Sequence, residues 1–300
     1  MNFKETLNEK TTRMEEVLAH FLPEERGFQK TVTEAMNYSV LAGGKRLRPM
    51  LMSETWDMFG GKGELVEPFM AAIEMIHNYS LVHDDLPAMD NDEYRRGRKT
   101  THVVYGEGMA VLAGDALLNY AFETACLAFE KAQGAAEYEK AARAMSVLAG
   151  KAGIYGMIGG QCADIEAEKH QENVTEELLL FIHEHKTAAL IQSAMMIGAI
   201  LAGADEEQVA AVEKCAYHIG VAFQIQDDIL DVTGSQEVLG KPIGSDAKNN
   251  KITYVTLHGL EKSSEKAEAL SNEAIRILAS FPKRNLFLEE LVKQLISREK

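Results

Sequence analysis

From Phe3 almost to the end of the chain, apolar residues recur at three- and four-residue intervals, and only six prolines interrupt 300 residues. That interval matches the turn of an α-helix, and long stretches rich in Ala, Leu, Met, Glu and Lys reinforce it. No run of period-two alternation is persuasive enough to predict a sheet. The spacing predicts helices over 3–20, 28–42, 47–59, 66–86, 108–131, 135–151, 154–169, 175–201, 206–232, 249–258, 262–280 and 285–298. Gly43-Gly44 ends one helix, Pro49 suits the first turn of the next, and Gly60-Gly61 closes that one. Residues 233–248 form the one sizeable irregular stretch, of a length that often serves as a lid, and closure over substrate is the expectation for it. With no Pro/Ser-rich linker and no fixed-period repeat, the expectation is a single all-α domain over 1–300.

Composition narrows the function. At 46% hydrophobic and 26% charged, the chain has material for a large core and is too polar for a membrane protein. The longest apolar stretch, 188–204, is interrupted by Gln192 and Ser193 and falls short of the ~20 residues of a membrane span. A net charge of -15 disfavours nucleic acid and anionic membrane surfaces. A phosphorylated ligand must therefore be met by a local basic cluster or a bound cation. Cys126, Cys162 and Cys215 are far apart and form no C-x-x-C pair, so they read as plain thiols. Together with a polar first ten residues, this leads to a cytoplasmic expectation.

Two acidic motifs carry the chemistry. The first runs His83-Asp84-Asp85-Leu86-Pro87-Ala88-Met89-Asp90, after an apolar helix. Adjacent aspartates there are costly unless paired or bound to a cation. On an unbroken helix, Asp84 and Asp90 would lie about 120° out of phase. Pro87 cannot donate a helical bond to His83, so the helix should stop and let Asp90 swing back. The second motif, Asp227-Asp228-Ile229-Leu230-Asp231, places Asp227 and Asp231 on one helix face after a run that reads as buried. Mg²⁺ suits such sites, because it takes one or two carboxylates and completes its shell with substrate phosphates. Two basic clusters accompany them, 94–99 (YRRGRK) and 43–49 (GGKRLRP). Arginine forks and lysine point charges are phosphate ligands. The residues alone thus reach an all-α, Mg²⁺-dependent enzyme acting on diphosphates.

At these positions the chain resembles the trans-isoprenyl diphosphate synthase family, and within it the bacterial members that form farnesyl diphosphate. The matching segments are LAGGKRLRPML, EMIHNYSLVHDDLPAMDNDEYRRGRKTTH, AVLAGDALL, GGQCADI, HKTAALI, GVAFQIQDDILDVTG and LGKPIGSDAKNNKITY. The resemblance implies an isoprenoid-synthase-type helical bundle around a central cavity, usually a homodimer. It implies three Mg²⁺ ions on Asp84, Asp90 and Asp227, supported by Asp85, Asp228 and Asp231. Arg95 and Lys186 would hold the allylic diphosphate with Lys241, and Lys251 as a further candidate. Lys45, Arg48, His77 and Arg96 would hold isopentenyl diphosphate, and Thr187 and Gln224 would face the developing carbocation. The implied reaction condenses isopentenyl diphosphate with dimethylallyl and geranyl diphosphate to a C15 product. Tyr79, five residues before Asp84, resembles the aromatic that stops growth there; on an ideal helix it lies about 140° from Asp84, so this role rests on the family alone. Val255 departs from the family pattern, where proline often comes after KITY.

Other readings compete. A C20 synthase of the same family is one, and a terpene cyclase, which RRG and the second Asp motif disfavour, is another. His83-Asp84 also allows an HD-type metal phosphohydrolase, which leaves 227–231 and both basic clusters unexplained. A non-catalytic partner subunit should have lost an acidic motif, and this chain keeps both. His183 and His185 point about 200° apart on a helix and predict no metal site.

Overall fold

The computed structural model describes residues 2–233 and 252–297. It is all-α apart from one pair of two-residue strands among those residues. Two compact units share the chain: Met1–Ser53 with Lys62–Met145, and Glu54–Gly61 with Ser146–Lys300. The boundary falls inside two helices, α3 (Leu47–Met58) and α7 (Ala135–Ala152).

The first unit contains α1 (Phe3–Phe21), α2 (Lys30–Val40), α4 (Val66–Asp84), the strands β1 (Tyr94–Arg95) and β2 (Arg98–Lys99), α5 (Thr101–Tyr105) and α6 (Glu107–Lys131). Helix α4 is apolar nearly all round and buried nearly all round, as such a helix must be. Phe69, Met70, Ile73, Met75 and Ile76 are wholly inaccessible, and each contributes about 1.5–3 kcal/mol of burial. Along it lies α6, which presents Ala110, Ala113, Gly114, Leu117, Ala121, Thr124, Ala125 and Ala128 as its buried face. Small residues at this helical spacing let the two axes approach closely. Gly114 goes furthest: a Cβ there would sit 2.0 Å from His83 Nε2. The imidazole occupies that notch, with Nε2 3.1 Å from the Val111 carbonyl oxygen.

The second unit contains α8 (Met157–Lys169), α9 (Glu176–Ile182), a π-helical turn (His183–Ala188), α10 (Ala189–Ala202), α11 (Glu206–Thr233), α12 (Tyr254–His258), α13 (Leu260–Ser280) and α14 (Leu286–Ser297). Helix α10 is buried on every side and packs on α11, which packs on α13. Ala188, Val221, Ile225, Tyr254 and Ala267 form one core cluster. No helix among the described residues is long and apolar enough to cross a membrane.

Three sequence expectations need correction. The helix expected over 175–201 is not one regular helix: its hydrogen bonding widens to the π pattern at 183–188 and returns to α at 189. The helix expected to reach 86 stops at Asp84, where Leu86 N–H closes a tighter turn on the His83 carbonyl at 3.1 Å. The strand pair was invisible to periodicity because two residues cannot alternate. Its Arg96-Gly97 turn has φ of 53° and 75°, the two positive values of a type I′ hairpin loop.

Gly114→Ala is expected to lower the thermal midpoint, since overfilling a packed contact costs roughly 1–3 kcal/mol. Gly150→Ala, on α7 with nothing within 4 Å of the added carbon, should instead gain about 0.5–1 kcal/mol by restricting the unfolded chain. Calorimetry on both variants decides; a midpoint for Gly114→Ala at or above wild type would contradict the packing account.

Candidate active site

The first acidic motif folds as its proline demands. After α4 ends, the chain reverses through residues 86–91, and the Asp90 N–H donates to the Asp84 carbonyl oxygen at 2.8 Å. Asn91, with φ of 53°, leaves the turn by donating its N–H to the Leu86 carbonyl at 3.1 Å. Asp84 and Asp90 are thereby brought together. Asp85 is buried and engaged differently: Arg95 Nε and Nη2 lie 2.7 Å and 2.6 Å from its Oδ1.

A cluster of cations surrounds this turn within the first unit. The β1–β2 hairpin docks on the end of α2: Tyr38 Oη donates to the Lys99 carbonyl at 2.8 Å, and Arg98 lies 4.4 Å over the Tyr38 ring. At the hairpin tip the Arg96 guanidinium donates to the Gly43 carbonyl. Arg46, 2% exposed, is held by Glu15, Glu74 and the Val40 carbonyl. Arg48, on the first turn of α3, has a buried Nε with no hydrogen-bond partner. Burial brings its pKa down to about 10, against the charge of Glu74 and with that of Arg96. Burial also holds the His77 imidazole well below the usual histidine range, and Arg48, Arg96, Arg95 and Arg46 push the same way. For Arg95, burial alone would lower the pKa, and the hydrogen bond and charge of Asp85 outweigh it. Arg46, Asn91 and Arg96 are the non-glycine residues with positive φ among those described, and all three lie here. Such strain gathers where function over-determines the backbone.

The second unit carries the other acidic motif, on the last turns of α11. Asp227 and Asp231 are partly exposed, and Asp228 is buried. Asp228 accepts from the Tyr254 N–H at 3.1 Å and from Gln224 Nε2 at 3.3 Å. Thr187 Oγ1 donates to Gln224 Oε1 at 2.9 Å, and Lys186 Nζ donates to Asp164 Oδ2 at 2.6 Å. Both Lys186 and Thr187 sit in the π turn, a distortion that recurs at functional sites. His183 and His185 have separate surroundings: His183 Nε2 is 3.7 Å from Asp228, whereas His185 stacks on Phe181.

Of the residues marked from sequence, the first unit holds Lys45, Arg48, His77, Tyr79, Asp84, Asp85, Asp90, Arg95 and Arg96, and the second holds Lys186, Thr187, Gln224, Asp227, Asp228 and Asp231. Lys241, Lys251 and 234–248 lie outside the described residues. Tyr79 is 6% exposed, its ring edge-on to His83 at 5.8 Å. Sequence reasoning placed Arg46 only within the 43–49 phosphate cluster, whereas its guanidinium is committed to Glu15, Glu74 and the Val40 carbonyl, and it passed over Glu74 and Asp164. The available signal was a lone acid inside an apolar helix, since a buried charge implies a buried partner. The carboxylates are hard oxygen donors, which suits Mg²⁺. Among the described residues no three acidic, imidazole or thiol groups converge to hold an ion unaided; a site finished by phosphate oxygens needs no such trio.

Folding lowers the His77 pKa below its unfolded value near 6.5. The unfolded chain then takes up a proton that the folded chain refuses. Stability present above pH ~6.5 is lost as the pH falls below it, with a slope of at most about 1.4 kcal/mol per pH unit. Thermal midpoints taken between pH 7.5 and 5.5 should fall more steeply in wild type than in His77→Gln. Equal slopes would contradict a neutral His77.

The polyprenyl synthetase family model matches residues 29–287. The chloroplastic geranylgeranyl pyrophosphate synthase of Catharanthus roseus is 48% identical over 250 residues, covering 83% of this chain and 69% of that one. The farnesyl diphosphate synthase of Geobacillus stearothermophilus is 44% identical over 266 residues, covering 89% and 88%. A geranyltransferase from Helicobacter pylori, solved with magnesium and isoprenyl diphosphate, superposes with a TM-score of 0.81 at 32% identity, covering 99% of this chain and 97% of its own. With both acidic motifs and the cationic cluster in place, the chain belongs to the polyprenyl synthetase family and is a trans-isoprenyl diphosphate synthase.

Proposed function

We propose that this protein, as one domain over 1–300, condenses isopentenyl diphosphate head to tail with dimethylallyl and then geranyl diphosphate, releasing C15 farnesyl diphosphate. The observation that carries the reading is the acidic turn of Asp84 and Asp90 set beside Arg48, Arg95 and Arg96 in one unit. A diphosphate is the ligand class that needs metal-binding carboxylates and direct cations side by side.

In this reading Asp84, Asp90 and Asp227 hold three Mg²⁺ ions with the substrate diphosphate, and Asp85, Asp228 and Asp231 support them. The magnesium and isoprenyl diphosphate of the Helicobacter pylori geranyltransferase support that ligand set. Bound Mg²⁺ supplies positive charge that stabilises the departing diphosphate. Arg95 and Lys186, with Lys241, bind the allylic diphosphate and keep their charge where negative charge grows. Lys45, Arg48 and Arg96 bind isopentenyl diphosphate. His77, held neutral, contributes a hydrogen bond there rather than a charge. Thr187 Oγ1 and Gln224 Oε1 present oxygen atoms to the allylic cation, and apolar walls keep water from it. The isopentenyl double bond attacks the cation, and the released diphosphate accepts the proton lost. Exposed Val104, Val111 and Leu112 offer apolar material for a homodimer contact.

A C20 product is the second reading, favoured by the name and 48% identity of the Catharanthus roseus relative. Incubation with Mg²⁺, isopentenyl and dimethylallyl diphosphates, read by mass spectrometry, separates the two. Wild type should stop at C15, and Asp84→Ala should lose on the order of 10²-fold or more in turnover. Tyr79→Ala should lengthen the product while condensation continues. A wild-type C20 product would remove Tyr79 as the stop, and no condensation with any allylic starter would remove the function.

A further inference from the structure

The bond between Lys186 and Asp164 bears on how an anion is received. Asp164 is 5% exposed and lies on α8, four residues after Gly160, so the two share a helix face. A Cβ at position 160 would stand 2.1 Å from the Lys186 backbone nitrogen and 2.7 Å from its Cα. Gly160 therefore lets α8 lie directly against the π turn. One turn later, Asp164 Oδ2 meets Lys186 Nζ at 2.6 Å.

The pair is asymmetric. The Asp164 side chain is 6% exposed, whereas that of Lys186 is 31% exposed. The carboxylate is sealed behind the ammonium, and the ammonium keeps an open side. An ammonium has three donors; one is committed to Asp164, which leaves two for a ligand on the open side. A lysine stem has four rotatable bonds, and a fixed acceptor behind the nitrogen selects among their rotamers. A carboxylate this near a diphosphate-binding cation would repel the diphosphate if its charge were not spent on the cation.

We propose that Asp164 is a positioning residue, acting through Lys186 to aim its ammonium at the diphosphate of the allylic substrate, with Gly160 providing the approach. This rests on the reading that Lys186 binds that diphosphate. Partners that orient metal ligands are worth about 10- to 100-fold in affinity or activity, and the same scale is expected for this pair.

The test is a double-mutant cycle of Asp164→Asn and Lys186→Met in the full chain, read by calorimetric binding of inorganic pyrophosphate with Mg²⁺ and by KM for geranyl and isopentenyl diphosphates. Asp164→Asn is expected to weaken pyrophosphate binding and raise the geranyl diphosphate KM about 10-fold or more, leaving the isopentenyl KM within about twofold. In the Lys186→Met background it should add nothing further. An equal loss in both backgrounds, or no loss in either, overturns the proposal. Should Asp164→Asn fail to fold, Asp164→Glu, which keeps the charge but moves it outward, is put through the same cycle, with the same outcomes deciding. If wild type condenses no isoprenoid at all, the functional reading fails on its own, and the pyrophosphate cycle still decides whether Asp164 acts through Lys186.

Discussion

A guanidinium cannot be buried alone, and the burial of Arg46 draws three helices together around it. Its side chain is almost inaccessible, so leaving it unpaired would cost several kcal/mol. Glu15 from α1, Glu74 from α4 and the Val40 carbonyl at the end of α2 divide its donors among them, at 2.9, 3.0 and 2.6 Å. Its backbone also adopts φ of 47°, a conformation that costs a non-glycine residue of order 1 kcal/mol. The network closes at the point where α3 begins. It thereby fixes the segment that offers the Gly43 carbonyl to Arg96 and sets Arg48 on the first turn of α3.

With Arg46 committed, the charge balance around it becomes lopsided. Glu74 is spent on Arg46, and Asp85 on Arg95. Burial depresses Arg48 and Arg96 first, against the charge of Glu74, and neighbouring arginines add to it; His77 is held neutral by burial and the same arginines. A chain carrying a net charge of -15 thus gathers Arg46, Arg48, Arg95 and Arg96 in one unit beside the acidic turn. The folding free energy bears the cost of gathering them in advance, so that in the proposed reading a diphosphate finds its donors already arranged.

The helices were legible in the sequence because their signals are local. Apolar spacing marks α4, α6 and α11, and the block at Pro87 marks the turn that returns Asp90 to Asp84. The candidate residues were legible only through motifs. What escaped depends on partners distant in sequence. Nothing within 183–188 announces a π turn, and the close approach of 160 to 186 joins residues far apart in sequence. Arg46 and Lys45 are indistinguishable as letters, yet one is enclosed by residues 31 and 28 positions away and the other is exposed. Asp164 lay inside a matching segment, and its role appears only once Lys186 stands against it.

The two acidic motifs echo one another for a physical reason. In each, two aspartates are adjacent at the end of an apolar helix, and neighbours on a helix are turned by about 100°. One of the pair must therefore face inward. Asp85 and Asp228 are the buried members, and each is tied to a segment later in the chain: Asp85 to Arg95 of the hairpin, Asp228 to the first N–H of α12. Asp84 and Asp227 stay partly exposed. A carboxylate that anchors a neighbouring segment has fewer lone pairs left for a cation, because each hydrogen bond it accepts from protein occupies one. Doubling the residue separates the two tasks, and helix geometry assigns them. An Asp-Asp pair at such a helix end then has one structural acid and one accessible acid, the ligand in the proposed reading, with the inward member decided by which side of the helix is covered.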